Sequence, residues 1–546
     1  MNQPPLWQLW RNPIVRRYAT ARLRMGALLG WSLPVQAIGA FLWLAFYLGS
    51  TKYGHIDARH AATIAWIPIL ILQGILWIMK GTFGVAVGIA RESVEGLSDA
   101  QRLTPLTPWH KVIGYLFGLP ILETFLVALL LPWAITSIVI GKIPLLVAFR
   151  IYLLLATAAT LHHAIGLVTG TVIRQKIVAG TVSQLLVIVL HFIIPFFSQL
   201  GAGPLGHLGV ETSMWGELEP FLPVTKNVVP ETVRFFQLNL ALTGYQWVVM
   251  VMLLGFLLMI LWRRWKNAEA HLFSKPLALV FFGWIGLMSL GEITPMIRSG
   301  TLFQNAKLPR GFTPLGNPLS EELTHKLLMV VWAGAVGVVA FIATMLIAAI
   351  ITPTLDQYWC ALRAQENIKS RRIPWTRDAH SALSWSLIIG IIGTGGWYYL
   401  VREVMATRYL SMVLHPIPSM PVILATGLIL PLIAWTLLLE WRGMKVAFAG
   451  AFIFWVLPLM VVTIAILSGT AFSGWPKWLL ALSGFALPFL SLTQATHGPA
   501  AVTELLEHLH TPWLLSLFVH CGAIVLFWRS LRRAQRLIPA LPPTQQ

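Results

Sequence analysis

Residues 327–351 read LLMVVWAGAVGVVAFIATMLIAAII, an apolar stretch that contains no charged residue. A helix needs roughly 20 apolar residues to cross the hydrocarbon layer of a membrane, and this stretch supplies them. Comparable stretches occur at Trp31–Leu48 and Val112–Ile140. Lipid offers no hydrogen-bond partners to the backbone, and these stretches lack the alternation of barrel strands, so we expect helices. The sequence therefore predicts an all-α, polytopic membrane protein.

The composition supports the same class of protein. Apolar residues make up 57% of the chain and charged residues 11%, with a mean hydropathy of +0.74, which a water-soluble core cannot accommodate. The formal net charge is +19. In a soluble protein this excess suggests nucleic acid, whereas in a membrane protein basic residues collect in cytoplasmic loops. We therefore expect contact with membrane lipid and no nucleic-acid partner.

Hydropathy along the chain predicts about twelve spans and one ambiguous segment. The ambiguous segment is Trp478–Leu492, which is short for a span; we interpret it as a re-entrant or interfacial helix. The predicted spans lie near residues 27–49, 62–90, 111–140, 146–173, 177–200, 241–262, 276–296, 326–352, 380–401, 420–439, 445–468 and 512–528.

The distribution of Lys and Arg predicts the orientation. With this threading, inside segments hold 25 of these residues and outside segments hold 11. Membrane proteins are oriented with an excess of Lys and Arg in their cytoplasmic loops, so both termini are predicted to be cytoplasmic. The membrane is predicted to be the cytoplasmic, or inner, membrane. A full crossing at Trp478–Leu492 would place the C-terminal run that begins at Arg529 outside, against this rule.

The N-terminal segment Met1–Arg24 carries five arginines, no acid and no continuous apolar core. These features argue against a cleavable signal peptide. We expect an interfacial helix that Pro13 interrupts, with one apolar face in lipid and its arginines at anionic headgroups. The residues that can face lipid are Leu6, Trp7, Trp10, Ile14 and Tyr18, and the arginines are Arg11, Arg16, Arg17, Arg22 and Arg24. A disordered basic leader is the alternative.

Internal repetition predicts two tandem units. Pro108-Trp109 recurs as Pro374-Trp375 and Trp262 as Trp528, both at an offset of 266. The string PFLPVT at residues 220–225 recurs as PFLSLT at 488–493, at an offset of 268. Landmarks at a fixed spacing are the signature of duplication. We predict a first six-span unit at 1–266 and a second at 267–546, in the same orientation because six is even.

The loop after the second predicted span reads GIARESVEGLSDAQRLTPLTPWHKVIG, residues 88–114. It resembles the matching loop of the ABC type-2 permease family, the membrane subunits of ATP-binding-cassette transporters, which often has an acidic and basic cluster, a glycine, a short amphipathic helix and a threonine-proline-leucine-serine-like end. The residues that match are Arg91, Glu92, Glu95, Gly96, Leu97, Thr104, Pro105, Leu106 and Thr107.

This resemblance implies that the loop docks on a separate ATPase subunit. Family members commonly carry one six-span unit per chain, whereas this chain has two predicted units, and the second-half loop lacks the LTPLT run. We expect one polar helical face toward the partner and a weaker counterpart at Pro374-Trp375. The candidate coupling residues are Arg91, Glu92, Glu95, Asp99, Arg102, Pro105, Pro108, Trp109, Pro374 and Trp375.

An ordinary solvated loop is the alternative for this segment, since runs of charge are often only that. The two proline residues Pro105 and Pro108 favour a stiff docking element, because each stops a helix at a fixed place. No P-loop of the form GxxxxGK[ST] occurs, so the chain is expected to be no ATPase itself.

Charged residues inside predicted spans are candidates for function, because they are expensive in lipid. Glu123 lies deepest; an interhelical contact and a role in the substrate path are both open. Lys80 is expected to snorkel to an interface and Glu292 to be partly hydrated.

His162, His163 and His191 raise the question of a haem, which helix bundles often hold between two histidines. Adjacent histidines diverge by about 100° around a helix, and His191 has no obvious partner at matching depth, so we expect no cofactor. Cys360 and Cys521 have no metal or disulfide spacing.

The preferred hypothesis is a transport permease that is powered by a separate ATP-binding-cassette ATPase. The alternative is a non-transport membrane anchor or assembly subunit, for example of an electron-transfer complex. Neither hypothesis predicts a catalytic or metal-binding residue in this chain.

Overall fold

The structure, a computed structural model, describes residues 5–193, 203–223, 232–268, 270–299, 321–366, 373–406, 415–467, 476–497 and 500–537. The chain divides into two compact units, Met1–Ala270 and His271–Gln546. Apolar helices make up most of the described part of both units, which confirms the all-α, multi-pass membrane class. The assignment of six spans to each unit stays a prediction.

Where the structure describes it, the first unit consists of helices and one short hairpin. The hairpin pairs β1 (Thr232–Phe235) with β2 (Leu238–Ala241). The helices are α1 (Pro13–Arg22), α2 (Met25–Leu48), α3 (Ala58–Gly74), α4 (Gly81–Val94), α5 (Leu97–Leu103), α6 (Pro108–Gly118), α7 (Ile121–Leu129), α8 (Leu131–Ile140), α9 (Leu145–Val172), α10 (Lys176–Ile188), α11 (Glu211–Leu218) and α12 (Leu242–Lys266).

Local sequence explains where several of these helices begin. The Asn12 side chain accepts a hydrogen bond from the backbone amide of Ile14. Pro13 occupies the first turn of α1, where no amide donor is needed. Thr107 and Pro108 start α6 in the same way. π-Helical turns at Ile75–Lys80 and Val189–Ile193 join α3 to α4 and extend α10.

Small residues set the packing of the first unit. A Cβ atom at Gly166 of α9 would lie 2.8 Å from the carbonyl oxygen of Thr82 in α4, so the two helices approach closely only with glycine there. Around this contact, Ile89, Tyr115 and Leu261 belong to one buried apolar cluster. Helices α4, α6, α9 and α12 are thereby held together next to the segment that follows α4.

The second unit has the same helical character. Its strands β3 (His415–Pro416) and β4 (Thr496–His497) form a two-residue pairing. Its helices are α13 (Lys275–Arg298), α14 (Glu321–Ile351), α15 (Leu355–Glu366), α16 (Leu383–Met405), α17 (Met420–Ala451), α18 (Leu457–Leu467), α19 (Pro476–Leu479), α20 (Leu487–Gln494) and α21 (Ala500–Leu537).

Two buried tryptophans lie in the core of the second unit. Trp397 and Trp435 are fully buried, and their indole N–H groups donate to the carbonyl oxygens of Ala333 (2.9 Å) and Met345 (3.0 Å). Buried indoles need such partners. Both acceptors lie in α14, so these bonds fix α16 and α17 against it.

Nine helices of the described residues are long and apolar enough to cross a membrane. Trp478–Leu492 is not among them, because it is divided between α19, a 3₁₀ turn at Leu480–Leu482 and α20. No single helix crosses the membrane there, which agrees with the prediction that this stretch is not a full span. The nine helices are Met25–Tyr53, Ala58–Val94, Ile121–Ile140, Leu145–Val172, Leu242–Lys266, Lys275–Arg298, Val331–Ile351, Met420–Ile464 and Leu509–Gln535.

Candidate functional site

The loop between α4 and α6 carries the residues predicted to couple to an ATPase. Gly96, with a φ of +72°, ends α4 and starts α5 in a new direction. A left-handed conformation is accessible to glycine without strain. The expectation of one polar face from Glu92 to Arg102 is therefore wrong, because these residues lie on two helices rather than one.

Glu92 is buried and does not face a partner. Its carboxylate accepts hydrogen bonds from the hydroxyls of Tyr18 and Tyr115, each at 2.5 Å, and pairs with the guanidinium of Arg17. Arg17 and Tyr18 lie on α1 and Tyr115 on α6. Burial, and then the charge of Glu92, raise the pKa of Tyr18, so this hydroxyl stays protonated as a donor. Glu92 thus joins the N-terminal helix to the base of the loop.

The other charged candidates are exposed and pair within the loop. Glu95 accepts from Arg91 at 2.7 Å, and Asp99 pairs with Arg102 one turn along α5. Arg102 also lies over the Trp265 ring of α12, 5.6 Å from its centre. Exposed pairs of this kind contribute little to stability, so the carboxylates of Glu95 and Asp99 are available to a partner.

The base of the loop is firmly attached. Lys111 is buried, and its ammonium donates to the carbonyl oxygens of Arg102 (3.1 Å) and Thr104 (3.3 Å). Trp109 stacks on Trp262 with ring centres 6.3 Å apart. Pro105 is exposed, and Pro108 occupies the first turn of α6. The exit of α5 is therefore fixed by side-chain contacts as well as by the prolines.

Three apolar side chains project from this loop. Leu103 is 89% exposed, Val94 67% and Leu97 42%. Single exposed apolar residues are common, but three within one short polar segment give a partner apolar surface to cover, and we refer to these three residues together as the apolar patch. Leu97 is among the residues that match the family loop, whereas Val94 and Leu103 were not predicted. The amphipathic character expected of this helix is the signal that could have found them.

The second-half loop is built differently. Pro374 and Trp375 are exposed, and Trp375 stacks on Trp385 at 4.3 Å between ring centres. Lys275 donates from its ammonium to three backbone carbonyls of residues 377, 378 and 380. Glu440 accepts from the Ser381 hydroxyl and the Ala382 amide, each at 2.7 Å. Lys275 of α13 and Glu440 of α17 thus hold residues 377–382, while residues 367–372 of this loop lie outside the described part.

Glu123 lies in a small charged cluster in the first unit. Its carboxylate is 3.4 Å from the ammonium of Lys80 and 3.5 Å from the guanidinium of Arg22. Lys80 also lies over the Trp31 ring, 4.0 Å from its centre. Lys80 therefore pairs with a carboxylate rather than only snorkelling. Of the two alternatives left open for Glu123, an interhelical contact is present.

The π-helical turn that contains Lys80 exposes backbone carbonyls to other helices. The His163 ring nitrogen Nε2 lies 2.9 Å from the carbonyl oxygen of Trp77, and the Gln184 amide donates to that of Met79. π-Helical turns often occur at functional sites because they free such groups. In the second unit, Glu292 is buried rather than partly hydrated.

The structure brings His162 and His191 together, so the expectation that His191 lacks a partner is wrong. Their ring centres are 4.7 Å apart, while His163 faces Trp77 instead. Axial ligation of a haem would hold the ring centres about 6.4 Å apart, given metal–nitrogen bonds of about 2.0 Å on opposite sides of the iron. The pair is therefore too close for a haem between the two rings.

Comparison of the chain with protein-family models, with curated proteins and with solved structures gave no match. The resemblance to ABC type-2 permeases therefore rests on the loop at residues 88–114 and on the predicted architecture.

Proposed function

We propose that this chain is the membrane permease subunit of an ATP-driven transporter, powered by a separate ATP-binding-cassette ATPase that docks on α5. The observation that carries the proposal is the combination of an exposed apolar patch, Val94, Leu97 and Leu103, with a firmly attached base in a multi-pass membrane protein. The chain itself is proposed to be no enzyme.

The apolar patch favours a protein partner over a merely solvated loop. Burying a leucine side chain stabilises a complex by about 1.5–3 kcal/mol, so Leu97 and Leu103 together are sufficient anchors for a small docking helix. Glu95 and Asp99 flank them and suit a basic groove on the partner.

The attachment of α5 suits the transmission of movement. Gly96 fixes its start, and the contacts of Lys111 and Trp265 fix its end. Both contacts reach helices that continue into the membrane. A push on α5 would therefore move α6 and α12 rather than bend the loop.

The threading proposed for this permease has twelve spans with both termini in the cytoplasm. The helix Met420–Ile464 would be about 67 Å long, more than twice the hydrocarbon thickness, and Gly443 has a φ of +75° near its middle. We count it as two spans. Counting α16 and the shorter α10 as well raises the nine long helices to twelve.

Thiol labelling tests this orientation. Ser213 and Thr496 are buried, so Thr212 and Ser419, which are exposed, are better positions for cysteine in a chain without Cys360 and Cys521. Both introduced thiols should react with an impermeant reagent from the outside of intact cells. Reaction only after permeabilisation would contradict the threading.

The docking proposal is tested with charge and patch variants. Glu95→Lys with Asp99→Lys, and separately Leu103→Asp, should release the ATPase from the purified complex and abolish transport-coupled ATP turnover. Leu238→Asp is the matched control, because Leu238 is an exposed leucine in the same unit, on the hairpin that is predicted to lie outside. If both loop variants still formed the full complex, the docking proposal would be wrong and the segment would be an ordinary solvated loop.

A further inference from the structure

The N-terminal helix α1 turns its apolar side toward the protein. Ile14 and Val15 are buried, and a Cβ atom at Gly114 of α6 would lie 2.8 Å from the Cβ atom of Ile14. The Asn12 side chain, which caps α1, donates to the carbonyl oxygen of His110 at 2.8 Å. A helix that lies free on a membrane surface would instead bury its apolar side in lipid. Only the opposite side of α1 is therefore left for contacts outside the protein.

The opposite side of α1 is basic. Pro13, Arg16 and Thr20 are exposed and follow one another at helical spacing, so they share one face. Arg11 before the helix and Arg24 after it are exposed as well. Among the described residues, these three arginines form no ion pair, whereas the two other arginines of the segment do. We refer to Arg11, Arg16 and Arg24 together as the basic surface, which carries three positive charges without a counter-charge.

Two tryptophans lie at the N-terminal end of the basic surface. Trp7 is 77% exposed and Trp10 70%, and Arg11 follows Trp10 directly. Indole rings are enriched at membrane–water interfaces, because the ring contacts apolar groups while its N–H group stays hydrated. Exposed indoles and guanidinium groups on one short segment therefore match the boundary between lipid headgroups and acyl chains.

Helix α2 brings the basic surface next to lipid. It begins at Met25, directly after Arg24, and is long and apolar enough to cross a membrane. Its side chains Leu29, Leu33 and Phe41 are each more than half exposed, so α2 presents an apolar flank to lipid along its length. Arg24 lies at the end of this span, where headgroups surround a transmembrane helix.

We propose that the basic surface of α1 binds anionic phospholipids of the surrounding leaflet, which is the cytoplasmic one in the threading above. Guanidinium groups form charge-assisted hydrogen bonds to phosphate oxygens, and basic residues beside a transmembrane helix attract anionic headgroups. Zwitterionic headgroups have no net charge, so the surface distinguishes the two lipid classes. An acidic protein surface is the competing occupant. The exposed tryptophans and the adjoining span favour lipid, because both belong to the membrane interface.

Hydrogen exchange of peptides that cover α1 tests this proposal in the full chain, reconstituted in lipid nanodiscs without any partner protein. One kind of nanodisc contains phosphatidylcholine alone, and the other contains equal parts of phosphatidylcholine and phosphatidylglycerol. The test variant combines Arg11→Gln, Arg16→Gln and Arg24→Gln. The matched control combines Arg174→Gln, Arg529→Gln and Arg533→Gln, which remove the same charge from exposed positions outside α1. Equal thermal unfolding temperatures check that both variants are folded.

In the unsubstituted chain, α1 should exchange at least about 10-fold more slowly in the anionic nanodiscs, since each arginine near an anionic surface strengthens binding about 5-fold. The control should keep this difference, and the test variant should lose it. High salt should also remove the difference, because it screens charges at a surface. Inorganic phosphate added to the phosphatidylcholine nanodiscs should leave the exchange of α1 unchanged, which separates a lipid headgroup from a free phosphate.

Equal exchange of α1 in both kinds of nanodisc would overturn the proposal and leave the basic surface to an acidic protein partner. Protection that persisted in the test variant would also overturn it, because other groups would then bind the lipid. Protection by inorganic phosphate alone would assign the surface to a free anion instead. No ATPase is present in these samples, so each of these results leaves the docking proposal for α5 unaffected.

Discussion

Replacement of Glu92 by glutamine should loosen the N-terminal helix without disturbing the membrane helices. Glu92, on α4, accepts hydrogen bonds from Tyr18 of α1 and Tyr115 of α6 and pairs with Arg17 of α1, so it joins these three helices. Glutamine has nearly the same size, so the substitution removes the charge and leaves the packing. The effect is therefore local, on the docking of α1.

The magnitude follows from the three contacts. A hydrogen bond to a charged group contributes about 1.5–3 kcal/mol, against about 1 kcal/mol for a neutral one. Glutamine still offers one oxygen to Tyr18 and one amide to Tyr115, so each tyrosine contact loses about 1 kcal/mol. Arg17 is more than one-third exposed, and its pair adds little after solvent screening. A total near 2 kcal/mol corresponds to a roughly 30-fold change in the opening equilibrium of α1.

Hydrogen exchange of peptides that cover α1 measures this equilibrium directly. Exchange in Glu92→Gln should be about 30-fold faster than in the unsubstituted chain. Glu95→Gln is the matched control, since Glu95 lies three residues away, is exposed and pairs only with Arg91 among the contacts described above. Its α1 exchange should not change. If Glu92→Gln exchanged at the rate of this control, Glu92 would not hold α1.

Three further predictions concern other parts of the chain. Gly443→Ala should lower the thermal unfolding temperature, because an L-residue at a φ of +75° costs about 1–2 kcal/mol. Gly450→Ala should leave it unchanged, because Gly450 has an ordinary helical conformation and space for a Cβ. Lys275→Met should speed tryptic cleavage within residues 373–382 several-fold, because that loop loses three donated hydrogen bonds; gel analysis of digests measures it. Because the pKa of Tyr18 is raised in the folded chain, its contribution to α1 docking is present below about pH 10 and is lost as the pH rises further. Hydrogen exchange of α1, corrected for its intrinsic rate, should therefore stay constant from about pH 6 to 9 and increase above about pH 10.

The sequence was sufficient for the class of protein, whereas the span predicted near residues 111–140 is divided among α6, α7 and α8. Long apolar runs have one physical solution in lipid, and residues 327–351 therefore lie in a helix as expected. The broken stretch Trp478–Leu492 was also recognised as no full span. These features depend on local composition, which a sequence displays directly.

The site was harder to predict, because it depends on contacts between distant residues. The helical spacing from Glu92 to Arg102 assumed one continuous helix. The left-handed Gly96 separates Glu92 from Asp99 and Arg102, and Glu92 is buried among α1 and α6. His162 and His191 lie on separate helices, so nothing in their local spacing predicts that their rings meet. The N-terminal segment was expected to turn Ile14 and Tyr18 to lipid and its arginines to headgroups, which is wrong for Ile14, Tyr18 and Arg22. Ile14 is buried, Tyr18 bonds Glu92 and Arg22 pairs with Glu123.

Site-specific photocrosslinking from position 103 in intact membranes tests the central claim, that α5 docks on a separate ATPase. A photoreactive residue in place of Leu103 should yield one adduct whose partner, by mass spectrometry, contains a GxxxxGK[ST] motif, and ATP should change its yield. The same residue in place of the exposed Leu238, at the predicted outer hairpin, should give no such adduct. Adducts from position 103 with lipid alone, or with proteins that lack a nucleotide-binding motif, would contradict the account.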